Sequence, residues 1–212
     1  MRDSRSEQDV SRPTDFPFVA GRLCLDFANT GGEREGVAFE DLRMPRDLAR
    51  WFAESELALS ELEVSDADLQ AAHELRDALW RAAQQCTAQK VLDQSDVTVI
   101  NHAAAVPALA PRIGDATGGR SWAPPTTAQA ALATIARDAV EFLTSDQARR
   151  IRECASPTCI LLFVDTSRPG RRRWCSMDLC GNRVKTRQYR RRRGEKNPEA
   201  QRQPEDKASS RD

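Results

Sequence analysis

CASPTCILLFVDTSRPGRRRWCSMDLCGNRVKTRQYRRRR, residues 154–193, decides the reading of this 212-residue chain. It holds four of the six cysteines, Cys154, Cys159, Cys175 and Cys180, in the pattern C-x4-C-x15-C-x4-C. Each close pair can offer two thiolates from one tight turn, and a spacer of this length can fold back to bring the pairs around one tetrahedral ion. The N-terminus has no apolar secretion segment, so zinc is favoured over a disulfide or redox role and over four unrelated buried thiols. Both histidines, His73 and His102, lie outside the stretch, which makes the expected donor set all sulfur.

The spacer reads as a hairpin. Ile160 to Ser167 is an apolar, branched run ending in turn formers, Arg168-Pro169-Gly170 supplies the turn, and Arg171 to Trp174 would be the return strand delivering Cys175. No helix breaker stands between Asn182 and Gly194, so a helix is predicted from near the second cysteine pair to Arg193. On it Arg183, Arg187 and Arg190 or Arg191 share a face, widened by Lys185, while Arg171, Arg172 and Arg173 form a second cluster in the hairpin. Guanidinium groups donate paired hydrogen bonds to phosphate and can read guanine edges, so these eight residues are the candidate nucleic-acid contacts. The finger's apolar content is too thin to fold alone, so the metal is expected to supply much of its stability.

Charge divides the chain at the same place. Lys+Arg and Asp+Glu number 32 each over the whole chain, but residues 149–193 carry 14 and 3, a net of +11, whereas residues 1–148 carry 14 and 24, a net of −10. A dense basic block is the usual footprint of a polyanion binder. Duplex DNA is the expected partner. Single-stranded RNA ranks lower, because Phe163, Trp174 and Tyr189 are few aromatics for a stacking platform. The alternative is a zinc-stabilised protein–protein module, in which the basic block meets an acidic partner or the acidic domain of a second copy in a homo-oligomer.

The string RRRWCSMDLCGNRVKTRQYRRRR, with Asp165-Thr166-Ser167 upstream, resembles the CGNR zinc finger, named for the tetrapeptide present as Cys180-Gly181-Asn182-Arg183. The resemblance spans about residues 149–193 and implies one structural Zn2+ held by the four cysteines. In that family the finger follows an ABATE domain of stress-induced bacterial transcription regulators, and LCLDFANT, Leu23 to Thr30, resembles the motif that opens such a domain. The resemblance therefore implies a regulator without naming its effector, operator or process.

The N-terminal module reads as acidic and mostly helical. Phe16 to Phe27 alternates around Gly21 and suggests a short hairpin, closed by a loop at Asn29-Thr30-Gly31-Gly32. Helices are predicted from Pro45, from a Ser65/Asp68 capping box to about Cys86, from Ser95 to Val106, and from a cap at Thr126 or Thr127 with Leu132, Ile135, Ala139 and Phe142 on the buried face. Arg112-Ile113 and Arg120-Ser121-Trp122 would add short strands of a small sheet. Asp26 and Asn29, polar within an apolar motif, must either fix the chain by bonding nearby amides or line a pocket for a small-molecule effector.

The expected architecture is α+β: a mostly helical N-terminal domain with a small β-sheet or hairpin (16–148), then a treble-clef-like four-cysteine finger (149–193). Residues 1–15 and 194–212 are expected to be disordered. No apolar run is long enough for a membrane span, which points to the cytoplasm. Neither a phosphate-binding glycine loop nor a nucleophile–base arrangement occurs, so an enzyme is not expected.

Overall fold

The computed structural model of the chain describes residues 16–34, 37–114 and 118–182. The chain runs α1 (Leu23–Ala28), β1 (Gly31–Arg34), β2 (Val37–Glu40), α2 (Pro45–Glu54), α3 (Asp66–Thr87), α4 (Gln94–Ala105), β3 (Ala110–Ile113), β4 (Arg120–Ala123), α5 (Ala128–Leu143), a 3-10 turn (Asp146–Arg150), β5 (Ile151–Glu153), β6 (Leu162–Val164) and a short π-helical turn (Met177–Gly181). Helices dominate, and among the described residues the strands form three separate antiparallel hairpins, β1–β2, β3–β4 and β5–β6, rather than one sheet.

The long helices begin where their caps dictate. Ser65 Oγ accepts from the Asp68 amide while the Asp68 carboxylate accepts from the Ser65 amide, a reciprocal capping box that starts α3. Thr127 caps α5 by accepting from the Ala130 amide, and Pro45 opens α2, where a missing N–H costs nothing. Leu132, Ile135, Ala139 and Phe142 all lie on the buried face of α5, as the periodicity predicts.

Two local expectations are corrected. Leu23 to Ala28 is a helix, not a strand, and five of its six residues are buried, which leaves almost no polar face to show a helical period. Gly31 and Gly32 belong to β1, not to a loop. Glycine is needed there because a Cβ on Gly31 would lie 2.6 Å from the Arg76 guanidinium carbon, and one on Gly32 would lie 2.8 Å from the Trp80 ring. Arg76 is itself buried and reaches over this hairpin to chelate the Glu40 carboxylate at 2.7 Å to each oxygen.

The helix α1 packs on α3 and α5, β5 packs on α3, and β6 packs on α1. Ile151, Ile160, Leu162 and Val164 consequently belong to the same apolar core as Leu25, Phe27, Trp51, Leu75 and Ile135. Burying side chains of this size contributes roughly 1.5–3 kcal/mol each. The boundary that charge draws at residue 148 therefore falls beside a continuous core, and the first half of the finger is built onto the helical domain.

Candidate metal centre

The first cysteine pair sits in the connection of the β5–β6 hairpin. Ile151 pairs with Val164 and Glu153 with Leu162, while the Cys154 amide donates to the Leu161 carbonyl at 3.0 Å and the Cys159 amide to the Ser156 carbonyl at 3.1 Å. The C-x4-C loop is thus the hairpin turn itself. This corrects the predicted pairing, in which the run from Ile160 would have met Arg171 to Trp174. The return segment makes single contacts instead, with the Ala155 amide donating to the Arg173 carbonyl at 2.8 Å.

Asp165 shapes the chain reversal between the pairs. Its buried carboxylate accepts from the Ser167 amide and hydroxyl at 2.9 and 2.5 Å and from the Arg172 amide at 2.9 Å. Desolvation pushes this carboxyl up, but those hydrogen bonds, with the nearby Arg150 charge, outweigh it and hold the group below its usual range. Gly170, at φ +62°, takes the left-handed position of the turn.

The second pair opens a helical turn. Ser176 Oγ accepts from the Asp178 and Leu179 amides, and the Cys180 and Gly181 amides donate to the Ser176 carbonyl. Gly181 sits against the Trp174 ring, where a Cβ would come within 3.3 Å, and beside the Met177 side chain, whose exposed, flexible end could swing away from one. Trp174, Val19 and Leu179 pack around the sulfurs, with Leu161 and Phe163 beneath.

All four sulfurs lie within 4.8 Å of one another, with Cys159 to Cys175 at 3.9 Å and Cys175 to Cys180 at 3.7 Å. A tetrahedron of thiolates about 2.3 Å from zinc has edges of about 3.8 Å, whereas a disulfide needs about 2.05 Å. No cysteine is in a disulfide, and the sulfur separations fit a metal rather than an S–S bond. Hydrogen bonds from Cys159, Cys175 and Cys180 hold the Cys154 thiol far below its ordinary range, and the same contacts push Cys159 and Cys175 far up. Without a cation these sulfurs divide their protons unevenly, and all four can ionise together only with a metal ion between them.

The hairpin arginines divide. Arg171 and Arg173 are exposed, and Arg173 stacks over the Trp174 ring at 5.0 Å. Arg172 turns inward: its guanidinium donates to the Trp174 and Cys175 carbonyls and lies 4.6 Å over the Phe163 ring. Arg172, one of the expected phosphate contacts, thus braces the second knuckle. Arg183, Lys185, Arg187, Arg190 and Arg191, with most of the predicted basic helix, lie outside the described residues.

The expected pocket residues also separate. Asn29 is buried and spends its side-chain amide on the finger, donating to the Leu162 carbonyl and accepting from the Leu162 amide, both at 2.9 Å. It is not among the residues that line the cavity Asp26 faces. Asp26 faces a cavity of ≈ 450 Å³ and accepts from the Ala20 amide at 2.9 Å. Burial raises its carboxyl to about 7, against the pull of the Ala20 and Val19 amides, with the charges of Glu56 and Asp138 adding to the rise. Of the histidines, His73 bonds the Leu42 carbonyl at 2.8 Å and His102 is exposed on α4.

A helical domain fused through a shared core to a closed four-thiolate knuckle defines a protein with a structural zinc centre. Residues 21–146 match the ABATE family model, described as "Putative stress-induced transcription regulator", and residues 150–193 match the CGNR zinc finger. The chain belongs to the ABATE family and carries a CGNR finger whose four cysteines are the donors for one structural zinc. No curated protein matches the chain significantly. Among the described residues, no helix is long and apolar enough to cross a membrane.

Proposed function

We propose that the chain is a cytoplasmic, DNA-binding transcription regulator of a stress response, in which the zinc knuckle presents an arginine surface to duplex DNA. The observation that carries this reading is the placement of Arg171 and Arg173, exposed beside the second cysteine pair, with the run Arg183 to Arg193 continuing from the turn that holds Cys180. Zinc with four thiolates contributes about −2, which still leaves the finger near +9. Four protein donors close the coordination shell and leave no position for substrate, so in this reading the metal organises rather than catalyses and the chain acts without enzymatic chemistry. The acidic N-terminal part, at −10 over residues 1–148, senses an effector or mediates assembly.

Genome-wide mapping of bound DNA for the wild type beside Cys175→Ser tests this reading. Defined sites in the wild type that vanish in the variant support it, and their absence from the wild type removes it. DNA-independent oligomers that fall apart at high salt would favour the protein–protein module instead.

A further inference from the structure

The cavity beneath the N-terminal segment is mixed in chemistry. Its walls are Phe18, Arg22, Leu23, Asp26, Glu56 and Asp138. Among the described residues Arg22 is the one cation lining it, and it is already paired with Asp138 at 2.6 Å while lying 5.2 Å over the Phe142 ring. Asp138 also accepts from the Cys24 amide at 2.9 Å, so that pair is settled on the α1 side. Asp26 and Glu56 are left as carboxyl groups facing a common space, and the charges of Glu56 and Asp138 add to the cost that burial sets on ionising Asp26. Phe18 is 37% exposed, large and apolar, and is held by Phe16 at 6.2 Å and Trp51 at 5.9 Å between ring centroids. A cavity of ≈ 450 Å³ falls in the range that small-molecule sites occupy.

We propose that this cavity binds a small organic cation, an ammonium group on a short apolar or aromatic arm, with Asp26 and Glu56 taking the charge and Phe18 and Leu23 the arm. Carboxylate pairing with an aromatic wall is the chemistry that recognises such ions. The site lies next to the finger: the Asp26 carboxylate holds the Ala20 amide, and the Ala20 carbonyl accepts from the Val164 amide of β6 at 2.8 Å. The inference rests on the effector-sensing half of the proposed function, and its test omits DNA so that the two can fail separately.

The test is calorimetric titration of the full zinc-loaded chain at pH 8 with benzylammonium, benzyl alcohol and phenylacetate. Benzylammonium is expected to bind one to one, with the alcohol and the carboxylate at least about tenfold weaker. Asp26→Asn should weaken benzylammonium about tenfold and Glu56→Gln severalfold, each variant keeping its zinc. Equal binding of benzyl alcohol, no heat from benzylammonium up to about 10 mM, or unchanged affinity in both variants would overturn the proposal.

Discussion

Asn29 and Leu162, 133 residues apart, are joined as two strand residues would be: the side-chain amide of the first closes both backbone hydrogen bonds of the second at 2.9 Å. The contact is buried and ties the end of α1 to the start of β6. Asn29→Ala would leave a buried N–H and a buried C=O without this partner, each costing about 1–3 kcal/mol. Chemical denaturation of the zinc-loaded chain should show a loss of about 2–5 kcal/mol, and Asn29→Asp, which keeps only the acceptor, a loss of similar size.

The metal centre gives a sharper stoichiometric expectation. Native mass spectrometry should find one zinc per chain, retained through dilution and removed by a strong chelator. Cys175→Ser should lose the metal and with it the order of the second knuckle, residues 171–182, because Cys175 is fully buried in the small sulfur cluster, while β5 and β6 stay on the helical core. Far-UV circular dichroism should change little, since α1 to α5 hold the helical core.

A third expectation concerns Gly31. The buried Arg76 guanidinium, fixed by Glu40 and by Asp77 at 2.9 Å, cannot yield to a methyl group at 2.6 Å without breaking its ion pairs. Gly31→Ala should lower stability by about 2–4 kcal/mol. Gly119→Ala, where a Cβ meets nothing within 4 Å, should stay within about 0.5 kcal/mol of wild type in the same thermal melts.

Asp26 predicts a pH effect of definite sign. Its carboxyl rises from 3.8 to about 7 on folding, so the folded chain binds this proton more tightly than the unfolded chain. Below pH ~4 both states are protonated and the group is neutral in its effect. Between ~4 and ~7 only the unfolded state ionises, so stability falls as pH rises, by at most about 1.4 kcal/mol per unit, and the penalty is complete above ~7. Asp26→Asn removes this slope, so its stability relative to wild type should grow between pH 5 and pH 8 in urea titrations.

What the sequence discloses follows from how local each determinant is. The Ser65/Asp68 box, the Thr127 cap and the period of Leu132, Ile135, Ala139 and Phe142 are written within a few residues, and the helices stand where they imply. The four cysteines are equally legible, because two close pairs with a foldable spacer admit few arrangements. Leu23 to Ala28 misleads because a six-residue helix buried almost all round alternates as readily as a strand. The hairpin misleads because the turn formers at 168–170 advertise one reversal while the C-x4-C loop provides the other. Asn29 is the clearest case: its partner is a backbone with no chemical signature, more than half the chain away.

Duplex DNA binding as a function of salt tests the central claim most directly. Fluorescence anisotropy of a labelled duplex, titrated with zinc-loaded protein over a range of salt concentrations, should give a log–log slope near about −5 if ~6 phosphates are neutralised, and Arg171→Ala with Arg173→Ala should reduce it by about 2. A flat salt response, or equal binding by the zinc-free Cys175→Ser chain, would contradict a zinc-organised arginine surface that binds DNA.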